Sequence, residues 1–357
     1  MVGSILFGMG TVIAPFSHSM LHLIIARIVM GIGAGIVIPA TYGIIGEHFE
    51  KKKYSSVFAA FAVVQILFNG LGSLSGGYLP EIASWQTIFY ILLPIELLSF
   101  WLVLKNISDT VFTQHFAPFQ IKQHLVMISA ILLTTLGIEQ AYHNHYLLLF
   151  LGAILLFYVI WKDAKKGNLL LPKEFINDRF LRNLCLQVFF LGAFYNVCLA
   201  YLPTLMQFSM GLSADTSGNL LAIFVVLMGI GSVLGGIAKI STRLAILIGW
   251  FTCLAGSIMM QILFTLSIGM LGFGSGILMS VLLGCTASRT QGHAAGVNST
   301  AHLVRNFGGS IGTILFQFSL NYPQQYYMWG VFILALSGTL TVALSFRFEL
   351  IINNNQL

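Results

Sequence analysis

The sequence predicts an all-α protein, a polytopic bundle of membrane-spanning helices, and three observations predict it. Only 8% of the 357 residues are charged and 57% are hydrophobic, whereas an average soluble domain carries about 25% charged residues. So few charges cannot clothe a water-soluble surface, so the solvent must be largely lipid. Apolar runs of bilayer length also recur along the whole chain, and the basic residues collect on alternate connections between them.

A spanning helix needs about 20 mostly apolar residues. That length places spans near 2–15, 19–46, 54–78, 85–104, 122–141, 146–161, 181–207, 216–238, 243–260, 262–287, 294–319 and 326–346, which makes 12. The first is short, and almost nothing polar separates the two that meet at 260–262. An apolar run at the start superficially resembles a secretory signal, but no Lys or Arg precedes Arg27. A signal peptide needs a basic leading region, so no cleavage is expected.

Orientation follows from charge. With 47–53 on the cytoplasmic side, alternation also puts 105–121, 162–180, 239–242, 288–293 and the C-terminus inside. Of the 17 Lys and Arg, all but Arg27 and Arg305 then lie in or beside inside loops, and those two lie within helices. This is the positive-inside pattern. It also excludes nucleic acid as the reason for the net charge of +6, because the basic residues are spread over several short loops. The longest polar stretch, 162–180, reads as a cytoplasmic connector whose Leu169-Leu-Leu-Pro-Lys-Glu-Phe175 run lies along the membrane face. Tryptophans and tyrosines near helix ends, Trp85, Tyr146, Trp161 and Trp329 among them, read as an interfacial belt.

Two regions repeat one another. Gly31-Ile-Gly33-Ala-Gly35 is followed by a basic loop and Asn69-Gly70-Leu-Gly72-Ser73. Gly272-Phe-Gly274-Ser-Gly276 is followed by a loop with Arg289 and Asn306-Phe-Gly308-Gly309-Ser310. Each is a glycine-rich helix running inward, a short cytoplasmic loop and a second glycine-rich helix running outward. Paired bundles from internal repeats produce such a pattern. Convergent small-residue packing produces it too.

At these residues the chain resembles the major facilitator superfamily, in particular its fourteen-span drug:proton antiporters, the EmrB/QacA-like group. Arg27-Ile-Val-Met-Gly31-Ile-Gly33-Ala-Gly35 resembles the arginine and glycine run of motif B. Leu71-Gly72-Ser73-Leu-Ser-Gly76-Gly77 resembles the antiporter motif C, with Ser73 where its proline stands. Ser84-Trp85-Gln86, Leu93-Pro94-Ile95 and the late segment Gly292 to Gly309 resemble further parts of the group. Met30, Gln86 and Glu96 replace the usual glutamine, arginine and glycine. Motif B lies in the family's fourth helix and here in the second, so the resemblance implies an N-terminally truncated two-bundle transporter lacking two helices and a cytoplasmic loop. It implies an incomplete N-terminal bundle at 1–104, two linker spans and the connector at 105–180, and a C-terminal bundle at 181–357.

The activity so implied is proton-coupled efflux of drugs or other small organic compounds by alternating access, in the cell inner membrane. The alternative is a truncated membrane remnant that transports nothing. The expected partners are a small-molecule substrate, the lipid bilayer and, as a possible addition, a periplasmic adaptor protein. No cofactor beyond the proton gradient, no nucleic acid and no enzymatic chemistry are expected.

Two residues are expected in proton coupling. A charged side chain within a span costs about 2.5–3.5 kcal/mol on insertion scales and is a functional hypothesis by default. Arg27 stays protonated and so acts on a neighbouring carboxylate rather than carrying the proton. The plainer reading is a structural arginine bonded to carbonyls or snorkelling outward. Glu96 is the one carboxylate near the middle of a span, able to alternate between neutral and charged forms. The plainer reading is a neutral acid hydrogen-bonded in the bundle. Arg305, Gly31, Gly33, Gly35, Gly72, Ser73, Gly76 and Gly77 are expected to line the substrate cavity or to let helices pack closely. Cys185, Cys198, Cys253 and Cys285 sit in apolar segments with no paired spacing and read as packing residues. His143 and His145 read as a polar outside turn, not a metal site.

Overall fold

In the computed structural model the described residues are 1–49, ten positions scattered over 57–72, then 83–106, 121–141, 147–166, 178–237, 240–260, 262–289, 294–319 and 331–340 without 334. Regular structure among them is helical throughout. Ser73, Gly76, Gly77, His143, His145, Lys51, Lys52, Lys53 and most of the spans expected at 54–78 and 326–346 lie outside the described residues.

The helices are α1 (Val2–Ile13), α2 (Met20–His48), α3 (Thr87–Asn106), α4 (Ile121–Ala141), α5 (Leu147–Lys166), α6 (Arg179–Thr204), α7 (Ala214–Ile237), α8 (Thr242–Met259), α9 (Phe264–Arg289) and α10 (Ala294–Ser319). Each coincides with an expected span to within a few residues, and the expected 294–319 matches α10 at both ends. Six helical stretches among the described residues are long and apolar enough to cross a membrane: Met20–Ile38, Thr87–Asn106, Arg179–Phe208, Asp215–Ile237, Thr242–Met259 and Phe264–Thr286. At 26 residues α10 is long enough but is not one of the six, because Arg305, His302, Asn306, Ser310 and Thr313 interrupt it.

Local chemistry sets the boundaries. Asp178 caps α6 by accepting from the Phe180 backbone N–H at 2.8 Å, and Ser241 caps α8 through the Leu244 N–H at 3.4 Å. Such caps satisfy orphan donors of the first turn. Pro203 lies near the end of α6, and the chain widens at once into the π-helical turn Leu205–Ser209, a common response to a disrupted hydrogen-bond ladder. Gly211 follows at φ 65°, a conformation that favours glycine. At the nearly loopless junction between α8 and α9 the Ile262 N–H donates to Met259 O at 3.0 Å.

The chain divides into two compact units, Met1–His48 with Gly72–Phe119, and Phe49–Leu71 with Gln120–Leu357. In the first unit α1 packs against α2 and α3. Ala14, Ala26, Met30 and Phe89 form its core, with Phe7 and Leu23 against it. In the second unit α9 is the central helix. It packs on α7, α8, α10 and α6, while α10 lies along α6 and α5 along α4. Trp250, Phe194, Phe224, Leu271 and Leu278 anchor that core.

Lipid supplies no hydrophobic drive between helices, so close packing must hold them together. Glycine provides it. A side chain at Gly272 or Gly276 of α9 would strike the Phe224 or Met228 carbonyl oxygen of α7, and one at Gly231 of α7 would strike Phe273 O of α9. Gly192 of α6 lies on Arg305 O of α10, and Gly308 of α10 on Phe189 O of α6. Gly137 and Gly152 join α4 to α5 in the same way. Outer faces stay apolar, with Phe157 71% and Leu97 67% exposed, a surface suited to lipid.

Candidate functional site

The first unit holds both residues expected in proton coupling, and the structure does not bring them together. Arg27 is the eighth residue of α2, at the start of its third turn, and its side chain is exposed. Its guanidinium carbon stands 4.9 Å from the centroid of the Phe89 ring of α3. Phe89 is buried and is met edge-on by Trp85 at 6.0 Å. Arg27 therefore rests on an aromatic face at the meeting of α2 and α3. A cation–π contact of this exposed kind contributes about 0.5–1 kcal/mol.

Glu96 lies two residues after Pro94 in α3 and turns toward α1. A side chain at Gly8 would come within 3.1 Å of its Oε1, so the carboxylate lies close over the glycine and would have to give way slightly to a methyl there. Thr11, fully buried one turn further along α1, stands beside it. The Thr11 hydroxyl is engaged with Phe7 O at 3.0 Å. Both Glu96 oxygens are shielded from solvent, with the Thr11 hydroxyl as the polar group set beside the carboxyl. For an ionised carboxylate so placed, Thr11 offsets only part of the desolvation, and Arg27 does not neutralise it.

The glycines of motif B are placed unequally. Gly33 faces α1, where a side chain would meet Phe7 N and Gly3 O. Gly31 and Gly35 are exposed, with nothing within 4 Å of where a side chain would begin, and Gly72 is likewise open.

The second unit contains a polar chain that Arg305 alone pointed to in the sequence. Arg305 is buried in α10, 6% exposed. Its Nη1 donates to the Met279 sulfur of α9 at 3.2 Å, and its Nη2 lies 2.8 Å from His302 Nε2. The Asn306 amide lies 3.1 Å from His302 Nδ1. Elsewhere in this unit Trp250 Nε1 of α8 donates to Gln187 Oε1 of α6 at 2.5 Å, both residues buried. Sequence reading missed His302, Met279 and Gln187. His302 could have been found from its place three residues before a mid-span arginine, the spacing that puts two side chains on one helix face.

Among the described residues no group of three His, Cys, Asp or Glu could hold a metal ion. A largely apolar hollow of about 770 Å³, lined by Leu227, Thr252, Phe264 and Met270 among others, opens between α7, α8 and α9 at the 260–264 turn. It contains none of the ionisable groups above.

Long apolar helices, glycine-mediated contacts and isolated buried ionisable groups define a multi-pass membrane helical bundle. The sequence profile of the Major Facilitator Superfamily matches residues 1–313, and the chain belongs to that family. It is 25% identical over 332 residues to the multidrug transporter protein MdtP of Bacillus subtilis, covering 87% of this chain and 60% of that protein. It is 24% identical over 331 residues to multidrug resistance protein 3 of the same organism, covering 88% and 65%. The chain thus spans somewhat less than two thirds of the length of these relatives. Among solved structures it is similar to the human organic anion transporter MFSD10 (TETRAN), with TM-score 0.66 and 15% identity over 96% of this chain and 74% of that one. The family and the relatives point to a transporter rather than an enzyme.

Proposed function

We propose that the protein of which this chain is part or whole exports drugs or other small organic compounds across the cell membrane in exchange for protons. The observation that carries the proton half of this reading is the Glu96 carboxyl, shielded from solvent against Gly8 with the Thr11 hydroxyl beside it and no counter-charge among the described residues. A carboxyl that gains and loses a proton changes its tolerance for such a place. In the neutral form it packs against α1. In the ionised form it needs water or a cation, so α1 and α3 must shift to admit one. A conformational step tied to one proton is what coupled transport requires. Arg27, a permanent cation on the neighbouring α2, attracts the ionised carboxylate in this reading only once the helices have shifted, since the resting structure seats it on Phe89 instead.

The substrate half of the reading is supported by the two multidrug relatives and by the largely apolar hollow between α7, α8 and α9. The charge pattern of the loops supports an orientation with 162–180 on the cytoplasmic side. The decisive experiment uses inverted vesicles carrying the full-length protein, energised to be acidic inside, with ethidium as the probe. Uptake of ethidium into the vesicles together with discharge of the pH gradient supports the proposal. Uptake that ignores the gradient, or no uptake by inserted protein over a panel of organic cations and anions, contradicts it.

A further inference from the structure

α7 and α8 follow one another with only 238–241 between them, yet they hardly touch. Each packs on α9 instead. Glycines set both contacts: Gly231 of α7 lies on Phe273 O of α9, and Gly249 of α8 lies on Gly274 O. Toward the junction of α8 and α9 the space between α7 and α8 is unfilled, and this space is the hollow of about 770 Å³. α9 is its back wall, and α7 and α8 are its sides.

The lining is apolar and its length is defined. Leu266, Gly269, Met270 and Phe273 run along the wall, with Leu227 on one side and Thr252 on the other. Gly269 keeps the wall low, since a side chain there would meet Leu227 Cδ1 at 2.7 Å. The Thr252 hydroxyl turns back on its own helix and donates to Ile248 O at 2.7 Å. Among the described residues no lining side chain is ionisable. Leu263 and Leu266 are exposed at the mouth, so the hollow opens on an apolar outer surface. From Phe264 to Phe273 the wall runs about 14 Å, at about 1.5 Å per residue. Half of a bilayer's hydrocarbon core is about 15 Å. The hollow therefore starts where a span starts and ends at the depth of one leaflet.

We propose that this hollow is a lipid site, holding one acyl chain of the leaflet beside the α8–α9 junction. The methyl end of the chain lies at Phe273, and the headgroup stays outside. With 162–180 on the cytoplasmic side, this is the outer leaflet. An apolar void forfeits the dispersion contacts of its walls, and hydrocarbon from the bilayer restores them. Three helices surround a chain here, whereas lipid on an outward face such as Phe150 and Phe157 of α5 is touched from one side. A chain in the hollow is therefore held longer. A helix from a second copy does not fit, since 14 Å of helix about 10 Å across would fill about 1,100 Å³. Headgroup charge plays no part, because no Lys or Arg occurs in α7 or between Arg243 and Arg289. An apolar transport substrate that enters the hollow has to displace this chain. The site rests on the packing of the second unit and not on efflux or proton coupling, so failure of either leaves it standing.

The test uses full-length protein in phosphatidylcholine nanodiscs, with no transport substrate. A tracer phosphatidylcholine carries a diazirine either at the end of one acyl chain or beside its ester. After irradiation, peptide mapping should place the chain-end label on Leu227, Met270 and Phe273 and the ester-side label on 263–266. Each should exceed the label on 147–161 of α5 several-fold. A phosphatidylglycerol tracer should give the same pattern. Gly269→Leu and Thr252→Phe fill the hollow and should cut the chain-end label several-fold while α5 labelling stays unchanged. If one variant fails to insert, the other and the wild-type depth pattern decide. Equal labelling of the hollow and of α5 would mean bulk lipid only and overturns the proposal. So does a pattern without depth order, an undiminished label in an inserted filling variant, or a requirement for the anionic headgroup.

Discussion

The same three-glycine run, Gly-x-Gly-x-Gly, occurs in α2 and in α9, and the two helices use it differently. In α9 the outer pair Gly272 and Gly276 lies on the backbone of α7, while Gly274, on the other side, meets Cys253 and Gly249 of α8. Helices are thus seated on both faces, and 83% of the apolar window of α9 is buried. In α2 only the middle glycine is covered. Gly33 lies on α1, the helix immediately before it, as Gly274 lies on α8, the helix immediately before α9. Gly31 and Gly35 face nothing among the described residues, and 17% of the corresponding window of α2 is buried. Glycines at i and i+4 share a helix face and the one between them points away. The motif therefore encodes two independent docking faces, and its presence says nothing about how many are filled.

Substitutions should separate the filled faces from the open ones. The largest effect belongs to Gly276→Ala and Gly272→Ala, where the new methyl meets carbonyl oxygen that cannot rotate away. Overpacking of this kind costs about 1–3 kcal/mol, and both should lower the unfolding midpoint of purified protein by several degrees or prevent its accumulation. Gly33→Ala should cost a similar amount locally, loosening α1 from α2. Limited proteolysis near residues 14–19 should register it more strongly than global unfolding does. Gly31→Ala and Gly35→Ala should be neutral or stabilising, since alanine exceeds glycine in helix propensity by about 1 kcal/mol. A loss at Gly35 equal to that at Gly276 would mean that its face is also covered in the folded protein, and the comparison would fail.

The smallest effect on stability is expected at Arg27. Its cation–π contact with Phe89 is exposed, so Arg27→Ala should change stability by no more than about 1 kcal/mol. Efflux should nevertheless be lost, and Arg27→Lys should restore it only in part because the planar fork is gone. Parallel measurements of insertion and ethidium transport in vesicles separate the two. Unchanged transport in Arg27→Ala would reduce the residue to a surface contact.

Most of the fold was legible because lipid as solvent leaves few alternatives. A stretch such as 122–141 has the length and composition of a span, and the structure begins and ends α4 there within a residue. Turn chemistry refined the rest, as at 260–262, where one short turn divides two apolar helices that composition alone runs together. The site was less legible. Arg27, Glu96 and Arg305 announce themselves as charges inside apolar runs, but their partners do not. Met279 lies 26 residues from Arg305 in sequence, and nothing about an isolated methionine marks it as an acceptor. His302 is polar in a helix already polar, and its role depends on which ring nitrogen meets Arg305. Likewise the run Gly31 to Gly35 leaves room for close backbone approach, while which faces are occupied is decided by helices elsewhere in the chain.

The claim that the first unit uses a shielded carboxyl to couple transport to protons is tested most directly at Glu96. Glu96→Gln keeps the volume and mimics the neutral acid, so it should fit against Gly8 and leave the protein inserted and able to bind ethidium. In proteoliposomes the wild type should accumulate ethidium in proportion to an imposed pH gradient and discharge that gradient as it does so. The variant should bind the dye, equilibrate it without accumulation and leave the gradient intact. Gradient-driven accumulation in Glu96→Gln with the wild-type dependence on pH would contradict the account.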